Sequence, residues 1–105
     1  MLINKQKISD GDILCFKLVN GDEVVAKLVS VDDLKFTVSK PCTVMPSAQG
    51  IGLMQSLFCG DINTIDIELR KDHVLMFAPV IKEMENHYLS TVTGIKTVSK
   101  GSIVV

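Results

Sequence analysis

The sequence predicts a mainly β fold: a small, strongly bent antiparallel sheet or open barrel followed by a C-terminal α-helix. Three observations carry this prediction. Residues 11–38, GDILCFKLVNGDEVVAKLVSVDDLKFTV, hold three apolar runs separated by Asn20-Gly21 and Asp32-Asp33. Both separators are turn chemistry, and Asn-Gly in particular favours the positive φ angles of a type I′ hairpin. Further on, Ile65, Ile67 and Leu69 alternate with Asp66, Glu68 and Arg70, the period of a half-buried strand. From Val80 the period becomes helical, with Ile81, Met84, Tyr88 and Val92 on one stripe.

Residues 1–10 mix Leu2, Ile3 and Ile8 with Lys5, Gln6 and Lys7, a composition equally suited to a helical turn, an extra strand or an arm. The segment 11–38 follows as a three-stranded meander. With two-residue loops at both separators, register follows by counting, because side chains alternate between faces. One face then carries Leu14, Phe16, Leu18, Val25, Val29, Val31, Leu34, Phe36 and Val38, with Glu23 and Lys27 as charged exceptions, Lys27 snorkelling at the rim. The opposite face is apolar at its Ile13 and Leu28 end. It requires a cover, either a helix or a neighbouring subunit, since buried apolar surface is worth ~25 cal/mol per Å².

Pro41 cannot donate to a ladder, so it marks an edge or a bulge in the third strand. Residues 46–50, PSAQG, read as a loop, and 51–58 as a strand apolar on both faces, with Gly52 marking a bulge or a close backbone approach. Cys59-Gly60-Asp61 turns the chain into a strand over 62–69. A polar turn at 71–73 and a short strand over 74–77 come next. Pro79 suits the first turn of a helix over 80–93, and Gly94 its C′ position. The apolar end of the tail, 95–105, predicts that part of it packs or pairs.

The length of 105 residues suits one domain. Hydrophobic residues make up 47% of the chain and mean hydropathy is +0.34, which favours self-association. A net charge of −1 leaves no global positive field to attract nucleic acid or an anionic membrane, so any such contact is local. The three cysteines, Cys15, Cys42 and Cys59, are odd in number and lack CxxC spacing, which predicts reduced thiols. With no apolar leader and no run approaching the ~20 residues that span a bilayer, the expectation is a cytoplasmic protein without a membrane partner.

Two segments resemble the motifs of the Sm-like family, meaning the Sm, LSm and Hfq proteins. Leu18-Val19-Asn20-Gly21, Leu28 and Asp32 are similar to the first motif, a meander with a glycine turn and a closing aspartate. Leu69-Arg70-Lys71-Asp72-His73-Val74-Leu75-Met76-Phe77 is similar to the second, a hydrophobic residue, an arginine, a short polar turn and a β run. The chain departs from the pattern at Ala26, where a glycine is usual, at Lys35, near which the Sm and LSm branch has an asparagine, and at Lys71, where the second motif has glycine. Its helix follows the strands instead of preceding them, and the Tyr-Lys-His signature of Hfq is absent. The small phage-borne Sm-like proteins are a nearer likeness, which would imply the host cytoplasm.

The resemblance implies a homo-oligomeric ring, formed by strand pairing between subunits, that binds single-stranded RNA or DNA near its pore and acts in nucleic-acid processing. By position, one pore loop would hold Asp32, Asp33 and Lys35, and the other Arg70, Lys71, Asp72 and His73. Arginine can stack on a base or fork to a phosphate. The plainer reading of 70–73 is a solvated turn, and of Asp32 a turn residue capping backbone amides. A structural or adaptor ring for a protein partner is the alternative function. His73 and His87 lack zinc-ligand spacing, and nothing local activates Cys59, so neither a metal, a cofactor nor an enzyme activity is expected.

Overall fold

The structure, a computed structural model, describes residues 8–102, with side chains described as far as residue 93. Strands β1 (Ile13–Leu18), β2 (Glu23–Val31), β3 (Lys35–Ser47), β4 (Gly50–Gln55), β5 (Ile67–Arg70) and β6 (Val74–Pro79) precede one helix, α1 (Lys82–Ser102). A 3₁₀ turn, Lys71–His73, joins β5 to β6. The sheet runs β4-β3-β2-β1-β6, and β5 also pairs with β3. All pairings are antiparallel, and among the described residues no pairing joins β6 to β4 or β5, so the bent sheet does not close into a barrel.

The expected meander is present, but its first turn is longer than two residues. Ile13 pairs with Lys27 and Lys17 with Glu23, leaving an odd-numbered loop closed by Leu18 N–H to Asp22 O at 2.8 Å. Gly21 takes φ +96° there, and the Asn20 side chain accepts the Asp22 N–H at 3.0 Å. One residue of slip moves a strand's side chains to the other face. The inward set is therefore Leu14, Phe16, Ala26, Leu28, Phe36 and Val38, whereas the expected frame of Val25, Val29 and Val31 is displaced from it. Lys27 stands exposed, away from that core, and Glu23 pairs with Cys15.

β3 is the spine. Residues 35–38 pair with β5 and residues 42–47 with β4 along the same side, while β2 occupies the other side. Between the two halves Lys40 adopts φ +48°, a left-handed conformation that bends the strand. Pro41 follows inside the strand, beside the β2–β3 register shift between Val25 and Lys27, which is the bulge the sequence suggested. The expected loop at 46–50 contracts to a tight hairpin turn at 48–49. β4 ends at Gln55, and the strand expected from Ile62 starts only at Ile67, because Ile62 is buried and Asp61 caps Thr64 in a turn.

The helix supplies the cover the second face requires. Met84, Tyr88 and Val92 pack with Ile13, Val25 and Cys42, and Val44 and Leu53 border them. Ile81, expected on that stripe, is 67% exposed, since it precedes the helix. The Tyr88 hydroxyl, raised in pKa by burial, donates to both Ser39 O and Lys40 O at 3.0 Å, clamping the kink. α1 does not stop at Gly94 but continues to Ser102; one interior glycine costs about 1 kcal/mol, which flanking helix absorbs. The reading of residues 103–105 and 1–7 lies outside the described residues.

Removing the Tyr88 hydroxyl leaves two part-buried carbonyls without this donor. Tyr88→Phe is expected to cost about 1–3 kcal/mol by urea denaturation; a loss under about 0.3 kcal/mol would show that the kink needs no clamp.

Candidate nucleic-acid interface

The seven residues singled out in the two loops meet in adjoining turns at one end of the sheet. They meet because β5 lies against the start of β3: Lys35 is the register partner of Arg70, and the Lys71 N–H donates to Leu34 O at 2.9 Å. A further bond, Val19 N–H to His73 O at 2.9 Å, ties the second loop to the first hairpin.

Asp32 organises its loop from outside the turn. Its Oδ1 accepts the N–H of Leu34 at 2.8 Å and of Lys35 at 3.0 Å, and its own N–H donates to Lys35 O at 3.0 Å. The two turn residues are thus Asp33 and Leu34, one place later than the Asp32-Asp33 expected from sequence. The same backbone donors, Leu34 foremost, hold the Asp32 carboxyl below the usual carboxylate range.

Most of the cations face carboxylates. Lys35 Nζ lies 3.7 Å from Asp32 and 3.5 Å from Glu68. Arg70 forks onto Asp72 through Nε at 3.1 Å and through a terminal nitrogen at 3.0 Å. That hydrogen-bonded pair pushes the Asp72 pKa down and the Arg70 pKa up. Lys71 instead lies over the buried Phe36 ring, its ammonium 5.5 Å from the centroid, a cation–π arrangement. His73 and Asp33 are exposed. Among these cations Lys71 faces an aromatic ring and no carboxylate, while Arg70 commits its Nε edge to Asp72 and keeps its remaining N–H donors.

Glu68, Leu34 and Phe36 were not anticipated as members of this site. Glu68 neutralises Lys35 across the β3–β5 pairing, and the polar phase of the 65–70 alternation was its only sequence signal. Counting from Asp32-Asp33 places Leu34 on the inner face, whereas it is 77% exposed at the turn apex. Its displacement follows from the later position of the turn.

Cys15 and Cys42 are held as thiols. Burial and the Glu23 carboxylate, which accepts from Cys15 Sγ at 2.6 Å, push Cys15 up to about 12, and burial raises Cys42 to about 11, the reverse of the low pKa an activated nucleophile needs. Cys59 is exposed in the segment after β4. Among the described residues no cluster of three or more His, Cys, Asp or Glu is placed to hold a metal ion, and no helix is long and apolar enough to cross a membrane. Neither a scan against protein-family models nor a search of the curated proteins returns a match for the chain.

Because the folded Asp32 pKa is depressed, its bonds to the turn are present above the unfolded value of about 3.9 and are lost as pH falls through the folded value. NMR titration should therefore show the Leu34 and Lys35 amide signals moving together with a midpoint below about 3.9. A midpoint at or above that value would mean the carboxylate does not hold the turn.

Proposed function

We propose that this chain is an Sm-like protein that assembles into a homo-oligomeric ring and binds single-stranded nucleic acid, RNA in preference to DNA, through the turns at 32–35 and 70–73, without catalysis, in nucleic-acid processing. The observation that carries the reading is the meeting of those two turns, distant in sequence, at one end of a bent sheet whose β5 and β6 edges are open among the described residues. The Lys71 N–H bond to Leu34 O and the Val80 N–H bond to Ile13 O set the hydrogen-bonding phase of these strands. By that phase β5 turns the backbone of Glu68 and Arg70 outward and β6 that of Phe77, next to Leu75 at 61% and Met76 at 65% exposure. Unpaired edges of this kind, charged on β5 and apolar on β6, favour pairing with another copy, and a closed ring leaves neither of them bare.

In this mode few phosphates are engaged. Lys35 and Arg70 already face carboxylates, so Lys71 supplies the ready cation, and stacking on exposed apolar or guanidinium surface supplies the rest. A second reading, a ring that presents its outer surface to a protein, is favoured by this internal charge balance and by exposed Leu57, Phe58 and Ile65.

Fluorescence-polarisation titration of oligouridine should show binding with a shallow salt dependence, a log–log slope of roughly −0.7 to −1.4 for one or two phosphates. Absence of binding at low salt refutes the nucleic-acid reading.

Within the site, Arg70→Ala should weaken binding severalfold and leave the assembled mass unchanged. Asp72→Asn, which releases the arginine fork, should tighten it by roughly three- to tenfold. Equal affinities for the two variants would remove Arg70 from the site.

A further inference from the structure

Among the described residues β4 presents a third open edge, and its chemistry differs from that of the edges assigned to ring closure. The β3–β4 ladder pairs Thr43 with Met54, Met45 with Gly52 and Ser47 with Gly50, and the Ser56 N–H donates to Pro41 O at 3.0 Å. That last bond sets the phase. Pro41/Ser56, Thr43/Met54, Met45/Gly52 and Ser47/Gly50 are the hydrogen-bonded pairs, so the N–H and C=O groups of Ile51, Leu53 and Gln55 point away from β3. Pro46 opposite Ile51 agrees with this phase, because a proline has no N–H to give to that position. The strand, GIGLMQ, contains no charged residue and no proline, the devices by which edge strands are normally protected from pairing. Ile51 is 57% exposed on one face of the strand and Met54 37% on the other, and Leu57 and Phe58, just beyond its end, are 41% and 69% exposed.

We infer that the β4 edge pairs antiparallel with β4 of a second copy about a two-fold axis at Leu53. In that register Leu53 faces Leu53 of the second copy and Ile51 faces its Gln55. Each of these pairs exchanges both backbone hydrogen bonds, and every outward group of the strand is satisfied by an identical strand. The absence of charge argues for this occupant over a foreign peptide: no like charges meet across the axis, and β4 has no ionic group with which to read another sequence. The contact uses a different edge from β5 and β6, and it stands or falls independently of nucleic-acid binding.

Two double variants test it by light scattering on a sizing column at low ionic strength, with circular dichroism to check folding. Ile51→Lys with Gln55→Lys sets lysine against lysine in both outer pairs and should halve the particle mass. Ile51→Lys with Gln55→Glu makes the same pairs attractive and should retain the mass of the unmodified protein. Unchanged mass in the first variant, or equal loss in both, overturns the inference. On the unmodified protein, the amides of Ile51, Leu53 and Gln55 should be protected from hydrogen exchange and should lose that protection on dilution. Exchange as fast as that of turn amides at every concentration also overturns it.

Discussion

The molecule depends on β3 being bent at one residue. Lys40 occupies a backbone region that disfavours an L side chain, and the Tyr88 hydroxyl holds it there by donating to the carbonyls of residues 39 and 40. The bend lets one side of a single strand serve β4 with its second half and β5 with its first. Because β5 is drawn against Lys35–Val38, the 3₁₀ turn after it comes to rest beside Leu34, and the two candidate binding turns become one surface. Helix, kink and site are therefore mechanically linked, although α1 packs on the cluster around Val25 and Cys42 and not on the site itself.

Much of this was legible in the chain. Asn20-Gly21, Asp32 and the polar 71–73 segment mark real turns, and the change of period near residue 80 marks a real helix whose Met84, Tyr88 and Val92 stripe faces the core. What failed was loop length. β2 carries apolar residues in both phases, Val24, Ala26 and Leu28 in one and Val25, Val29 and Val31 in the other, so periodicity alone does not choose between them. Lys27 and Glu23 held the deciding signal: only the phase with Val24, Ala26 and Leu28 is free of charge, and it demands a longer first turn. The stretch between residues 56 and 66 misled for a related reason. Its apolar residues suggest strand, whereas Asp61 and Thr64 form a local turn that competes with the ladder. Gly94 read as a helix end because glycine is frequent there, but a helix already anchored by packing passes through it.

At the candidate site the residue types could be read and their pairing could not. Lys35 and Arg70 look like free cations in one dimension. In the fold Lys35 faces Asp32 and Glu68, and Arg70 closes on Asp72, so the surface is nearly charge-balanced. Such a site suits ligands that offer stacking and a few phosphates over those that offer a dense field of negative charge. The strand edges left open among the described residues make the complementary demand, which the proposed assembly would meet by pairing them with further copies of the chain.

That demand is the core of the account, and native mass spectrometry of the unmodified protein examines it most directly. The account predicts one discrete assembly at an integer multiple of the 11.5 kDa chain, with intermediates scarce because ring closure leaves neither a β5 nor a β6 edge on which to stop. A single 11.5 kDa species persisting at micromolar concentration would contradict it.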